Sequence, residues 1–319
     1  MIPDPKIFYQ TYLKDYHGTK ATYLKKILDD LPKYEKEIFD KELDEEEKDQ
    51  FRLTLKSDLR QTYFHAIETF FELFFALNPH GKQKFDDLNV LYNLANSAGP
   101  ETYNKISQIA LNESSLEFLD EKIKFEGFDI SIGHYLFYMG IFKAAAMSKE
   151  LQDEIDKSID AIKYGLKILA TDFINREEYN AYKHGLGIIP AVKAFMLGDV
   201  KTNEIKIKWD LSDSMSFYLK SKSPNEVKII TKLSDIGRDY TMTMFCSRLI
   251  YHLIFYRRLT LKFEKDAEKY KQFPITFFGK EPIAKCNKVN VAIQDLEYTM
   301  TMTESDSDIQ STINDKTLK

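Results

Sequence analysis

Four side chains past the middle of the chain, Arg176, Asn180, Lys183 and His184, fall on one broad face of a helix-like stretch from Asp172 to Gly185. Residues three and four apart share a helix face, so cations, an amide and an imidazole could converge there. Such a set can hold an anionic group and move a proton. A second polar set lies in Asp58 to Asn78, where Asp58, Gln61, His65, Glu68 and Glu72 recur at spacings of 3, 4, 3 and 4. They form one stripe on a helix whose other faces carry Leu59, Tyr63, Ile67, Phe70, Phe71 and Phe74. A helix this apolar is expected to be buried over most of its circumference. Its stripe is then either the last solvated edge or a seam facing other polar groups. If the two polar helices face one another, a site exists.

Each set also has a purely structural explanation. Lys183 and His184 stand in the last turn of a helix, where cations complement exposed carbonyls, and Gly185 suits a left-handed C-cap. The stripe can equally be an exposed edge, or a buried network such as Glu68 with Arg60, His65 or a lysine. His65-Ala-Ile-Glu68 reverses the Glu-x-x-His order of carboxylate di-iron bundles and has no second copy, so no metal is expected. Arg248, His252, Arg257, Arg258, Lys262 and Lys265 make one basic helical end, which could touch phosphates or simply be a solvated face. The candidate binding residues are therefore His65, Glu68, Glu72, Arg248 and His252. No Walker loop, GxGxxG or GxSxG elbow occurs, since Gly185-Leu-Gly187 runs on into Ile-Ile-Pro, and no cofactor is expected. Cys246 and Cys286 form no CxxC pair and read as small buried hydrophobes.

The elements that must position these residues are mostly helices. Twelve glycines and nine prolines are few for 319 residues, which favours long helices over a many-stranded sheet. Residues 5–40 read as two helical pieces broken near His17-Gly18, and 41–77 as one long helix with Asp44 to Glu47 placing negative charge at its start. Asn78-Pro79-His80-Gly81 ends it. Helices are expected over 84–98 and 101–123, divided by Gly99-Pro100, and over 150–173, continuing through Glu178 to His184. Past Thr202 the period changes. Ile205, Ile207 and Trp209 alternate with Glu204, Lys206 and Lys208, then Met215, Phe217 and Leu219 alternate again, which predicts a hairpin. Val227 to Lys232 adds a candidate strand, and Val289 to Ile293 with Tyr298 to Met302 a final hairpin.

The expected fold is mainly α: a multi-helix bundle with a small antiparallel β appendage in the C-terminal third. Residues 1–200 form the bundle, 201–233 the appendage, and 234–272 a long helix packing back on the bundle. Short strands follow over 273–303, and 304–319, polar and rich in Ser, Thr and Asp, read as a disordered tail.

A helical bundle with Asn180-x-x-Lys183-His184-Gly185 near a helix end resembles the HEPN superfamily, helical domains that include metal-independent ribonucleases and many non-catalytic binding members. The family motif sets an arginine beside the polar residue. Here Arg176 precedes Asn180 by four positions. The resemblance implies binding of nucleotide, RNA or a protein partner, with a homodimer as the assembly. In its catalytic form it implies RNA cleavage, with His184 as acid or base at the ribose 2′-hydroxyl, Arg176 or Lys183 stabilising the phosphorane, and Asn180 orienting the phosphate. A purely structural or interaction protein is the competing class.

Composition bounds these readings. Hydrophobic residues make up 43% and charged residues 30%, as in an ordinary globular domain. Aromatic content is 13%, with Phe 23 and Tyr 19 against Trp 1, so a core of packed rings is expected. A net charge of -5 gives no global field for a nucleic acid backbone. The opening Met-Ile-Pro-Asp-Pro-Lys lacks a basic and apolar leader, and no apolar run reaches membrane-spanning length. With so few cysteines this suggests a reducing, cytoplasmic setting and no membrane partner.

Overall fold

Asp44 and Glu47 start the longest helix by a reciprocal exchange. Glu47 donates its backbone N–H to the Asp44 carboxylate at 2.8 Å, and the Glu47 carboxylate accepts from the Asp44 N–H at 3.1 Å. Glu45, Glu46 and Glu47 in the first turn add favourable charge. The computed structural model describes residues 5–78, 90–97, 99–112, 116–174, 179–181, 188–189, 194–199, 204–210, 214–220, 226–233, 235–260, 275–289 and 295–301. Its helices are α1 (Pro5–Thr11), α2 (Tyr16–Asp29), α3 (Leu31–Phe39), α4 (Glu45–Leu77), α5 (Val90–Ala95), α6 (Gly99–Ala110), α7 (Ile132–Tyr138), α8 (Phe142–Met147), α9 (Lys149–Ile174), α10 (Ile236–Thr260) and α11 (Lys280–Cys286). The strands are β1 (Lys122–Phe125), β2 (Phe128–Ser131), β3 (Ile188–Ile189), β4 (Ala194–Asp199), β5 (Glu204–Asp210), β6 (Ser214–Lys220), β7 (Glu226–Leu233) and β8 (Asp295–Thr301). The fold is mainly α with small antiparallel sheets. No described helix is long and apolar enough to cross a membrane.

Two compact units divide the chain. The first comprises Met1–Lys41, Asp58–Asn175 and Ile236–Lys288, and the second Glu42–Ser57, Arg176–Asp235 and Val289–Lys319. In the first, the aromatic part of α4 is sealed in the core: Tyr63, Phe64, Ile67, Phe70, Phe71 and Phe74 are all fully buried. Phe74 stacks on Phe70 and on Phe137 of α7, with ring centroids 5.6 and 6.2 Å apart. Each buried ring contributes on the order of 1.5–3 kcal/mol through burial alone. Helix α10 packs against α1, α2, α7 and α11, while α9 packs against α6, α7, α8 and α11. Gly165 permits the α9–α10 approach, since a Cβ there would stand 2.4 Å from the Phe245 ring.

Several expectations are corrected. His17-Gly18 is no break: both residues are buried inside α2, where the Gly18 N–H donates to Ser247 Oγ of α10 at 3.2 Å. The helix expected over 101–123 stops at Ala110, and the chain makes a 3₁₀ turn at Leu116–Asp120 and then a hairpin. In that hairpin Phe125 pairs with Phe128 across Glu126 and Gly127, both with positive φ (47° and 85°), as a two-residue primed turn requires.

In the second unit the expected pairing of residues 204–210 with 215–219 is replaced. β5 pairs with β4, while β6 pairs with β7 in a sheet ordered β3-β6-β7-β8. The continuous apolar run Phe195-Met196-Leu197 hides β4 from any search for alternation. Ser216 and Thr231, directly opposite in register, share a buried hydroxyl–hydroxyl bond of 2.7 Å. Strand β8 pairs with β7, and of Val289 to Ile293, expected to partner it, residues 290–293 lie outside the described residues. Among the described residues of this unit the strands begin at Ile188, earlier than the expected 201.

Candidate functional site

Along the α4 stripe Asp58, Gln61, Glu68 and Glu72 are half-buried and His65 is exposed. Arg60, from the adjoining row, makes an ion pair, with Nη1 2.5 Å from Asp239 Oδ1 and the Asp239 side chain only 2% exposed. One turn on, the Tyr63 hydroxyl donates to Asp172 Oδ2 at 2.5 Å, and Arg238 Nη2 donates to the same oxygen at 2.6 Å. Arg238 also donates from Nε and Nη2 to Asn287 Oδ1, at 3.2 and 2.7 Å. Burial first, and then the Asp172 carboxylate, raise the Tyr63 phenol well above its usual pKa, so it stays a neutral donor. The network joins α4, α9, α10 and the residue after α11, and it serves packing.

The candidate binding residues differ in burial. His65 is exposed, its ring centroid 4.9 Å from His17 and 6.5 Å from Tyr16. His17, buried beneath it, is pushed down to about 4 by burial first, then by His65 and Lys20. Glu68 is half-buried on the same helix. Glu72, likewise half-buried, lines a cleft of about 650 Å³ with Phe75, Asn93, Lys105 and Glu117. The basic end of α10 also divides. Arg248 is exposed, with its guanidinium 5.3 Å from the Tyr251 ring. Arg257 is fully buried and donates to the Leu136 and Leu253 carbonyls at 2.9 and 3.1 Å. His252 is 2% exposed, enclosed by Tyr138, Tyr256 and Phe278, so it is a core histidine and presents nothing to a phosphate. Burial, then Arg248, push it down to about 3.

Arg176, Lys183 and His184 lie outside the described residues. Asn180 is helical and exposed, in the second unit, while His65 and Glu68 belong to the first. Among the described residues no three His, Cys, Asp or Glu side chains gather as metal ligands.

A second groove, of about 850 Å³, lies between α2, α10, α11 and the residues just before α11. Tyr23, Tyr240, Phe245, Phe277 and Phe278 give it flat apolar walls, and Lys26 and Arg248 stand at it as cations with Asp15 as the carboxylate. Its size suits a small ligand. Gly18 and Ser247 form the close α2–α10 approach at its base, and a Cβ on Gly18 would press on Ser247 Oγ at 3.0 Å. Of the candidate binding residues named from the sequence, Arg248 lines this groove. The α2 residues were missed, and their signal was Tyr16 and Tyr23, which sit 47% and 50% exposed on a helix otherwise packed by His17, Gly18, Ala21 and Leu24. Comparison of the chain with protein families, with curated proteins and with solved structures gives no match.

Proposed function

We propose that this chain acts by binding, and that its ligand is a nucleotide held in the groove between α2, α10 and α11. The observation that supports the reading is the pairing of aromatic walls with the exposed Arg248 guanidinium. A base is flat and stacks on rings, and its phosphate asks for a cation in a planar donor fork, which arginine supplies. Lys26 adds a second positive charge, so among the described residues lining the groove the cations outnumber the carboxylates. This keeps nucleotide binding from the sequence expectation but uses none of the residues that carried the HEPN resemblance. It rests on the first unit alone, and asks nothing of Arg176 or His184.

Titration calorimetry with ribonucleoside mono- and diphosphates tests it. Binding tighter than about 1 mM is expected for at least one of them, and Arg248→Ala should weaken it roughly tenfold, about 1.4 kcal/mol. Inorganic phosphate and laurate serve as separate arms. Binding of laurate without any nucleotide, or nucleotide binding indifferent to Arg248→Glu, overturns the proposal.

A further inference from the structure

One wall of the groove has no secondary structure of its own. Residues Ile275 to Gly279 lead into α11 outside any helix or strand, and among the described residues their only backbone–backbone bond is Gly279 C=O accepting the Ile283 N–H at 3.2 Å. Two side chains from other helices hold the segment instead. The Phe278 N–H donates to Ser158 Oγ of α9 at 2.7 Å, and the Tyr138 hydroxyl of α7 donates to the Thr276 carbonyl at 3.2 Å. The two hydroxyls are themselves 2.5 Å apart, and both residues are fully buried. One proton arrangement satisfies all three contacts: Ser158 donates to Tyr138, Tyr138 donates to Thr276, and Ser158 accepts from Phe278.

The rings of the segment complete its seat. Phe277 stacks on Tyr138 at 5.8 Å, and Phe278 meets Phe245 at 5.8 Å and His252 at 4.9 Å. Phe277, Phe278 and Gly279 are the residues it presents to the groove. A stretch outside any helix or strand, held by two side-chain hydrogen bonds and its ring contacts, can leave its seat at the cost of those contacts and at most the first-turn bond of α11, and their loss sets how often it does so.

We infer that Ile275–Gly279 is a strap forming a movable wall of the groove, and that Tyr138 and Ser158 are positioning residues that hold it against the ligand without touching the ligand. The inference rests on the groove being the ligand site. A nucleotide stacked on Phe277 or Phe278 binds the seated strap only, so ligand and pin act on one equilibrium and each strengthens the other.

Amide hydrogen exchange on the full chain, with and without the nucleotide that calorimetry identifies, separates the two readings. Ser158→Ala is expected to speed exchange across 275–279 by about tenfold while leaving α9 peptides unchanged, and to weaken nucleotide binding by a similar factor, chiefly through faster dissociation. Tyr138→Phe removes one hydroxyl with little change of volume and should show the same pattern more weakly, and it stands in if Ser158→Ala does not fold. Saturating nucleotide should slow strap exchange in the parent chain. Arg248→Ala should weaken binding without altering strap exchange in the free protein. Strap exchange unchanged in both variants, or raised equally across α7 and α9, overturns the strap. If no nucleotide binds the parent chain the groove reading fails, and the exchange pattern of the free variants still decides whether the pin exists.

Discussion

Truncating Arg238 measures what the polar network in the first unit contributes. Its Nη2 lies 2.6 Å from Asp172 Oδ2, and the two side chains are only 11% and 20% exposed. Breaking a buried pair by removing one partner costs about 3–5 kcal/mol. The partial exposure of both groups moves the expectation for Arg238→Ala to the lower end, about 3 kcal/mol, with solvent screening Asp172. Asn287 Oδ1 loses two donors in the same step, which keeps the cost well above that of a surface pair. Tyr63→Phe removes one hydrogen bond to a carboxylate and should cost about 1.5–2 kcal/mol. The assay is equilibrium urea unfolding, with a fall in the midpoint and an unchanged slope. Arg238→Ala, Asp172→Ala and the double variant then close a cycle whose coupling energy should be about 1–3 kcal/mol. A loss below about 1 kcal/mol for Arg238→Ala, the range of exposed ion pairs, together with no coupling to Asp172, would refute the claim that this network holds α4, α9 and α10 together.

The buried histidines make the protein sensitive to acid. Burial pushes His17 and His134 down to about 4 and His252 to about 3, from 6.5, so each stays neutral in the folded chain while the unfolded chain takes up protons. Their stabilising contribution is present above about pH 6.5 and is lost as pH falls toward 4, at about 1.4 kcal/mol per pH unit for each histidine. Urea midpoints should therefore drop steeply between pH 6.5 and 4.5. His134→Leu should flatten that slope by about a third, and an unchanged slope counts against the assignment. The two cysteines should separate under alkylation. Burial raises the Cys246 thiol well above its usual pKa and it should stay unlabelled in native protein, whereas half-buried Cys286, raised less, should label slowly. Because Cys286 lines the groove, bound nucleotide should protect it, and labelling indifferent to nucleotide argues for a ligand seated elsewhere.

Periodicity told which way the α4 residues face, and it stopped there. That Tyr63, Phe70 and Phe74 lie inward follows from spacing alone, because a helix burying most of its circumference has few other arrangements. Which charge meets which does not follow. Arg60 finds Asp239 across 179 positions of chain, and Tyr63 finds Asp172 across 109, so the partner depends on how α10 and α9 cross α4. Those crossings depend in turn on contacts such as Gly18 against Ser247 and Gly165 against Phe245, which leave no periodic trace in the sequence. The hairpin at Lys122–Ser131 was illegible for a related reason, since its turn places a glutamate, Glu126, at positive φ where Asn or Gly would have announced it. The groove combines both limits. Arg248 was visible as a cation on an apolar helix, yet its neighbours come from residues 15–26, 240–248 and 277–286, three separated stretches that only the packing brings together. Long-range polar and aromatic convergence is what makes a binding site, and it is the kind of information a local pattern cannot hold.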